Sequence, residues 1–337
     1  MKKYPLALLA TLAALAPFGS AIATENGQLR ALLGAPSYEL ATPQFPGWYG
    51  QLWLQHYSAH QLKGDDGQAL QMQASTPLGT LPVQVQGSIQ ADVFVARGTW
   101  VTDKLLADGR LGFSATLPLV RQRNDIRFSA TLPAGAPAAA AAALQSQLDA
   151  LGAQRSGSRS GQGDLDLAGF VDWQNDDSRL VLGLSVVAPT GAYDAKEAVN
   201  PGAGRFWTVR PLLLASKVWE NGLELGLRAT YSLNTRNTAT DLRSGQYLHA
   251  DYAAMYRVND EWRLGLQGYL VEQTTHDSGP GVASNGNKAR VRALGPMLAY
   301  VSEGGVWSAD VKVLKEFAVR NRPQGTTTWV RLNLRLD

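Results

Sequence analysis

The chain has 337 residues, with 31 Lys and Arg against 28 Asp and Glu, and no cysteine. The lack of cysteine excludes disulfides and thiolate metal sites. Setting aside Lys2 and Lys3 of the opening segment leaves 29 basic residues against 28 acids, so the formal +3 falls to +1. That balance gives no footing for a nucleic-acid partner.

The opening MKKYPLALLATLAALAPFGSAIA carries a basic start, an apolar run from Leu6 to Leu15, and Ala21-Ile22-Ala23 before Thr24. Residues 1–23 read as a cleaved secretory signal, since the apolar run is too short to span a membrane. No later stretch approaches about 18 uninterrupted apolar residues, so no transmembrane helix is expected. Residues 24–47 form an N-terminal leader ending in Pro43-Gln44-Phe45-Pro46-Gly47. Within it, residues 29–33 suit a turn of helix. The leader belongs either in the periplasm or folded into the mouth of a barrel.

From residue 48 the pattern has period two, the mark of strands with two unlike faces. The first strand covers 48–57. The next covers 83–97, with Val83, Val85, Gly87, Ile89, Ala91, Val93 and Val95 on one face and Gln84, Gln86, Ser88, Gln90 and Asp92 on the other. A third strand spans about 111–128. Residues 133–161 break the pattern with an alanine run, Leu144, Leu148 and Leu151 at helical spacing, and a Ser/Gly/Arg tail. They predict a short helix inside a long loop, which is either a constriction or plug, or a surface decoration.

Strands follow over 164–173, with Asp164, Asp166 and Asp172 on one face, then 180–188 and 207–219. In the last of these Arg210 and Lys217 have opposite parity. The stretch 223–233, LELGLRATYSL, alternates strictly. Eleven residues at roughly 3.3 Å rise, tilted by about 40°, climb some 28 Å. That matches the apolar band of an outer-membrane barrel, about 25 Å tall. Further strands are 247–257, 262–271, 289–301, 306–317 and 328–336.

Connections alternate in length. Short ones are 103–109, 174–178, 220–222, 259–261 and 302–305. Long ones are 62–81, the alanine-rich insertion, 189–206, 234–246, 274–288 and the shorter 320–327. Short periplasmic turns alternating with longer outer loops are the habit of a transmembrane barrel. The nine tryptophans separate this from a β-sandwich. Trp48, Trp100, Trp173, Trp219, Trp262 and Trp307 fall at short-turn ends; Trp207 and Trp329 lie toward long loops; only Trp53 is mid-strand. Two aromatic girdles explain that distribution, whereas a sandwich places Trp in its core. The fold class is therefore all-β: a transmembrane antiparallel up-and-down β-barrel of about 12 strands over 48–337, interrupted at 133–161, with both ends periplasmic.

An ordered series of residues adds a resemblance. It includes Pro46-Gly47-Trp48-Tyr49, Gly161-Gln162-Gly163-Asp164-Leu165, Pro189-Thr190-Gly191-Ala192-Tyr193-Asp194, Asn200-Pro201-Gly202 and Phe206-Trp207. Tyr231, Asn234, Ser244-Gly245, His249, Asp251, Gly268-Tyr269, Leu294-Gly295-Pro296, Lys315-Glu316, Asn321-Arg322 and Gln324-Gly325 continue it. Together they resemble the outer-membrane transporter family named for the meta-pathway of phenol degradation, which includes the sphingosine-responsive outer-membrane proteins. The resemblance is dense over the C-terminal half and thin between residues 58 and 160. It implies a Gram-negative outer-membrane barrel that takes up aromatic or other hydrophobic compounds. Two features depart from the family: the alanine-rich insertion, and an end at Leu336-Asp337 where such barrels end in an aromatic.

The inward face should carry Glu224, Arg228, His249, Asp251, Arg263, Gln267, Asp310, Lys312 and Arg331, the candidate lumen and solute contacts, together with Arg335. Both signs are mixed, so charges can pair across the lumen and narrow it. Eight strands give a filled interior and 16 to 18 a water channel, so twelve suit a narrow, gated or ligand-sized passage. Phe94, Tyr247 and Tyr269 share the polar face.

Of the four histidines, His56, His60 and His276 sit near outer loops with no nucleophile in an evident triad. His249 and Asp251 are neighbours on one strand face and serve either a ligand contact or a bracing network. No catalytic residue is assigned and no enzyme is expected. No cofactor and no metal is expected either, because no cluster has ligand spacing; Asp65-Asp66 and Asp176-Asp177 are turn residues. The function expected is passive passage of small, hydrophobic or aromatic molecules. The alternative is a closed barrel that binds lipid or serves a structural or adhesive role. The expected partners are outer-membrane lipid, the solute and the barrel-assembly machinery.

Overall fold

A computed structural model describes residues 27–36, 44–76, 79–282 and 288–336. The expected signal at 1–23 lies outside the described residues. The strands are β1 (Gly47–Leu62), β2 (Gln71–Thr76), β3 (Gly79–Leu106), β4 (Gly109–Ala130), β5 (Gly157–Gln162), β6 (Leu165–Gln174), β7 (Ser178–Ala188), β8 (Thr208–Val218), β9 (Leu223–Asn234), β10 (Tyr247–Arg257), β11 (Trp262–Gln273), β12 (Arg290–Val301), β13 (Trp307–Arg320) and β14 (Pro323–Arg335). One helix, α1 (Ala138–Arg155), lies between β4 and β5.

Twelve strands close an antiparallel barrel. β1 joins β14 to β3, β3 pairs with β4, β4 with β6, and every later strand with its sequence neighbour. Closure leaves no open edge in the wall, as a lipid environment requires. The barrel begins and ends on one rim, where Leu336 N donates to Trp48 O at 2.8 Å.

Period-two alternation becomes two faces. On β9, Leu225 and Leu227 are about two-fifths exposed on the outside, at 39% and 40%. Glu224, Thr230 and Ser232 are buried inside. The same holds for Leu264 and Leu266 on β11 and for Val311 and Val313 on β13. An apolar outside over a polar inside reverses a soluble fold and suits lipid as the outer solvent.

The tryptophans divide. Trp48, Trp100, Trp219, Trp262 and Trp307 are exposed near the short-turn rim, and Trp207 is exposed at the other end. Trp48 stacks on Trp100 with ring centroids 5.5 Å apart. Trp329, expected in the outer girdle, instead points inward and is fully buried, with Trp53 edge-on beside it at 6.3 Å.

The strand expected over 83–97 is much longer, and Phe94 on it faces outward, not into the lumen. The register explains both. Phe94 lies opposite Leu119, both exposed. Above that rung come Asp92 opposite Arg121, Gln90 opposite Arg123 and Gln86 opposite Arg127. The outward face turns from apolar to charged because the β3–β4 hairpin rises out of the membrane into water. Its inward face stays apolar and builds a second core: Leu81, Val83, Val85, Ile126 and Phe128 pack with Leu62, Leu70, Ala74, Leu144 and Leu148. α1 covers that face, and Gly152 fits there because a Cβ would stand 2.8 Å from Ile126 O. Thus the insertion decorates the raised hairpin, whose edges β2 and β5 extend.

The outer connection expected at 320–327 shrinks to a tight turn of Asn321 and Arg322. Asn321 adopts φ +51°, a left-handed conformation that Asn tolerates. At a short turn on the opposite rim, Lys217 hydrogen-bonds Asp177 and holds its carboxyl below the ordinary value.

Candidate functional site: the lumen

The leader decides the geometry. Residues 27–36 do not form the expected turn of helix; they run as bends and turns inside the barrel. At the outer end, Gln28 donates to Asn200 O at 2.8 Å, and Arg30 donates to Asp164 at 3.0 Å and to Gly204 O at 2.8 Å. The Arg30 guanidinium also lies 3.9 Å from the Phe206 ring centroid. Near mid-height, Trp329 Nε1 donates to Leu33 O at 3.1 Å and Gly34 N donates to Asp251 Oδ1 at 2.9 Å. Deeper still, Lys312 and Arg331 donate to Ala35 O, and Lys312 and Gln267 to Pro36 O. The chain reappears at the short-turn rim, where Gln44 bonds Gln174 and Arg179.

The composition of this stretch suits the role. Leu33 and Ala35 join a buried cluster with Trp53, Val93, Val95, Tyr247, Tyr269, Leu314 and Trp329. Gly34 sits at φ +73° with a built Cβ only 2.5 Å from Leu314 Cδ1, so no side chain fits there. Backbone carbonyls freed from secondary structure must find donors when buried. Here the lumen wall supplies them.

The nine candidates therefore have the following places. Asp251, Gln267, Lys312 and Arg331 meet the leader backbone directly. Asp310 lies 3.9 Å from Arg331, and both side chains are fully buried. His249 stands 3.1 Å and Arg228 3.6 Å from Asp251. Glu224 sits apart, nearer the short-turn rim, between Arg257 at 3.1 Å and Arg263 at 3.3 Å. Of the nine, Arg228 and His249 line the open space beside the leader.

That open space is a cavity of about 360 Å³ beside the leader. Its apolar lining includes Ile89, Val93, Val120, Phe170, Val181 and Leu212. It extends from Arg179 and Gln44 at one end to Pro201 and Arg322 at the other. The lining brings in groups that strand reading passed over: Asp164 with Arg30, Asp166 with Arg210 at 3.1 Å, and Arg179 held on Asp172 at 2.7 Å. Arg30 had a signal in the sequence, being the one charge in GQLRALLGAP. Among the described residues no group of three or more His, Asp or Glu side chains could hold a metal ion.

Among solved structures, the chain is similar to an outer membrane channel from Pseudomonas putida F1. The two share 16% identity over 89% of this chain and 99% of that one, with a TM-score of 0.65. The monoaromatic hydrocarbon channel CymD matches less closely, at 10% identity, 87% and 89% coverage and a TM-score of 0.40. The Ralstonia pickettii toluene transporter TbuX gives 11%, 87%, 90% and 0.38. No curated protein matches the sequence. The family model described as putative MetA-pathway of phenol degradation matches residues 73–332, so the chain belongs to that family and has the fold of an outer-membrane β-barrel channel.

Proposed function

We propose that this protein is a passive passage for small hydrophobic or aromatic molecules across the outer membrane. The observation that carries the reading is the cavity beside the leader, walled by Val93, Phe170, Val181 and Leu212 along much of the barrel's height. An aromatic ring moving against such a wall keeps apolar contact and leaves the lumen charges in their pairs. The family description, and the channel named from Pseudomonas putida F1, support it. In this reading the outer face meets outer-membrane lipid, and the barrel-assembly machinery inserts the chain. The test is uptake of labelled phenol and of a long-chain amphiphile into asymmetric vesicles with a lipopolysaccharide outer leaflet. Uptake no faster than in protein-free vesicles for either solute would end the proposal.

The closed barrel stays a second reading because the leader lies inside the lumen and is tied to the wall by buried hydrogen bonds. Planar-bilayer conductance separates the two, since a closed barrel passes no current.

A further inference from the structure

The charges on the cavity wall do not balance. Its lining holds the arginines 30, 97, 179, 210, 228 and 322 against the acids Asp164, Asp166 and Glu316, while Asp172 and Asp251 behind the wall take up Arg179 and Arg228. All three lining acids are engaged. Asp164 accepts from Arg30 and Asp166 from Arg210, while Glu316 accepts from Tyr57 at 3.0 Å and Tyr269 at 2.7 Å. The unmet capacity is that of donors.

Two of these groups, Arg210 Nη2 and Ser185 Oγ, lie side by side on the wall. Arg210 spends Nε on Ser232 Oγ at 3.1 Å and Nη1 on Asp166, while its Nη2 is buried with no partner. Ser185 lies directly opposite Arg210 across β7 and β8, and its buried Oγ also has no partner. Both residues line the cavity and both are more than nine-tenths buried. One rung toward the short-turn rim stand Phe170 and Leu212, each paired with Gly183. One rung the other way is Val187. Phe170 and Leu212 therefore give the two unpaired donors an apolar flank on one side, while on the other Val187 stands between Asp166 and Thr208.

Leaving a buried donor unsatisfied is costly, and a guanidinium bonds a carboxylate more strongly than a neutral acceptor. A neutral hydrocarbon would satisfy neither group. We infer that the solutes this passage favours are amphipathic carboxylates, aromatic or aliphatic acids, whose carboxylate accepts from Arg210 Nη2 and Ser185 Oγ while the apolar body rests on Phe170, Val187 and Leu212. The inference rests on the passage proposed above.

The test uses the full chain in planar bilayers under gradients of benzoate and of benzylammonium, with benzyl alcohol uptake measured in the asymmetric vesicles. The zero-current potentials give the benzoate-to-benzylammonium permeability ratio. The expected ratio is about tenfold or more, the scale of concentration that a cleft of one charge sign produces. Arg210→Gln lowers it several-fold, the other lining arginines remaining. Ser185→Ala, which keeps every charge, lowers it several-fold. A wild-type ratio of one or below overturns the inference, as does an unchanged ratio in Ser185→Ala; the Ser185→Ala result is decisive even if Arg210→Gln does not assemble. Benzyl alcohol uptake with a ratio of one rejects the carboxylate preference alone, whereas the absence of uptake and current rejects the passage itself.

Discussion

On the wall built by β10 to β14, four inward polar side chains end on the leader: Asp251, Gln267, Lys312 and Arg331 all reach the backbone of residues 34–36. On the wall built by β3 to β8, inward side chains line a cavity, and the charges there either pair along the wall or face the leader's Arg30. Both walls have the same alternating sequence pattern. An inward charge in a barrel therefore says only that it avoids lipid. What it binds depends on what fills the lumen.

The strongest way to break that comparison is to release the leader. Arg331 is 1% exposed, bonds Ala35 O, lies 4.7 Å from the Trp53 ring and faces Asp310. Arg331→Met removes these contacts and weakens the compensation of a buried carboxylate, which costs about 3–5 kcal/mol. Thermal unfolding in detergent should show the loss, and single-channel conductance should rise as residues 34–36 leave the wall. A destabilised protein with wild-type conductance would mean that the leader is held by its apolar contacts alone.

The barrel was legible in the sequence because lipid outside and polar groups inside impose a two-residue period that no loop imitates, as residues 223–233 show. The leader's position was not legible. Its ten described lumen residues have no period, and their fit depends on donors from strands more than two hundred residues away, such as Lys312 and Trp329. The lumen candidates were found by parity alone, which cannot separate Arg331 on the leader from Arg228 beside the cavity. Trp329 was misplaced for a related reason. Position along a strand gives height, but its parity with Arg331 puts it inside.

A second contrast lies between the membrane band and the raised β3–β4 hairpin. Leu148 of α1 is 1% exposed in the hairpin's own core. Leu148→Ala should cost that core about 2–5 kcal/mol. Limited proteolysis should then cut within 133–161 while the barrel's melting temperature stays put. If the barrel melted earlier as well, the two cores would be one cooperative unit.

Within the band, neighbouring residues give the next largest effect. Leu227 points to lipid near the middle of β9, and Arg228 points inward. Leu227→Arg should cost about 2–4 kcal/mol near the midplane, measured by denaturant titration in lipid vesicles. The arginine already at 228 sits next in sequence without that cost. Equal tolerance of arginine on both faces would contradict the assignment of outside and inside.

The smallest effect marks where the band ends. Along the outer face of β1 the residues run Leu52, Leu54, His56, and His56 Nδ1 meets Asp92 Oδ1 at 2.7 Å. Their side chains are 57% and 61% exposed. If that rung is in water, the pair is screened and His56→Ala changes stability by only about 0–1 kcal/mol. Leu52→Arg, two rungs lower on the same face, should cost more. A large loss at His56 would instead put Asp92, and Arg121 opposite it, in hydrocarbon, where neither belongs without a partner. The boundary between Phe94 and Asp92 on β3, and between Leu119 and Arg121 on β4, therefore rests on His56 being nearly indifferent.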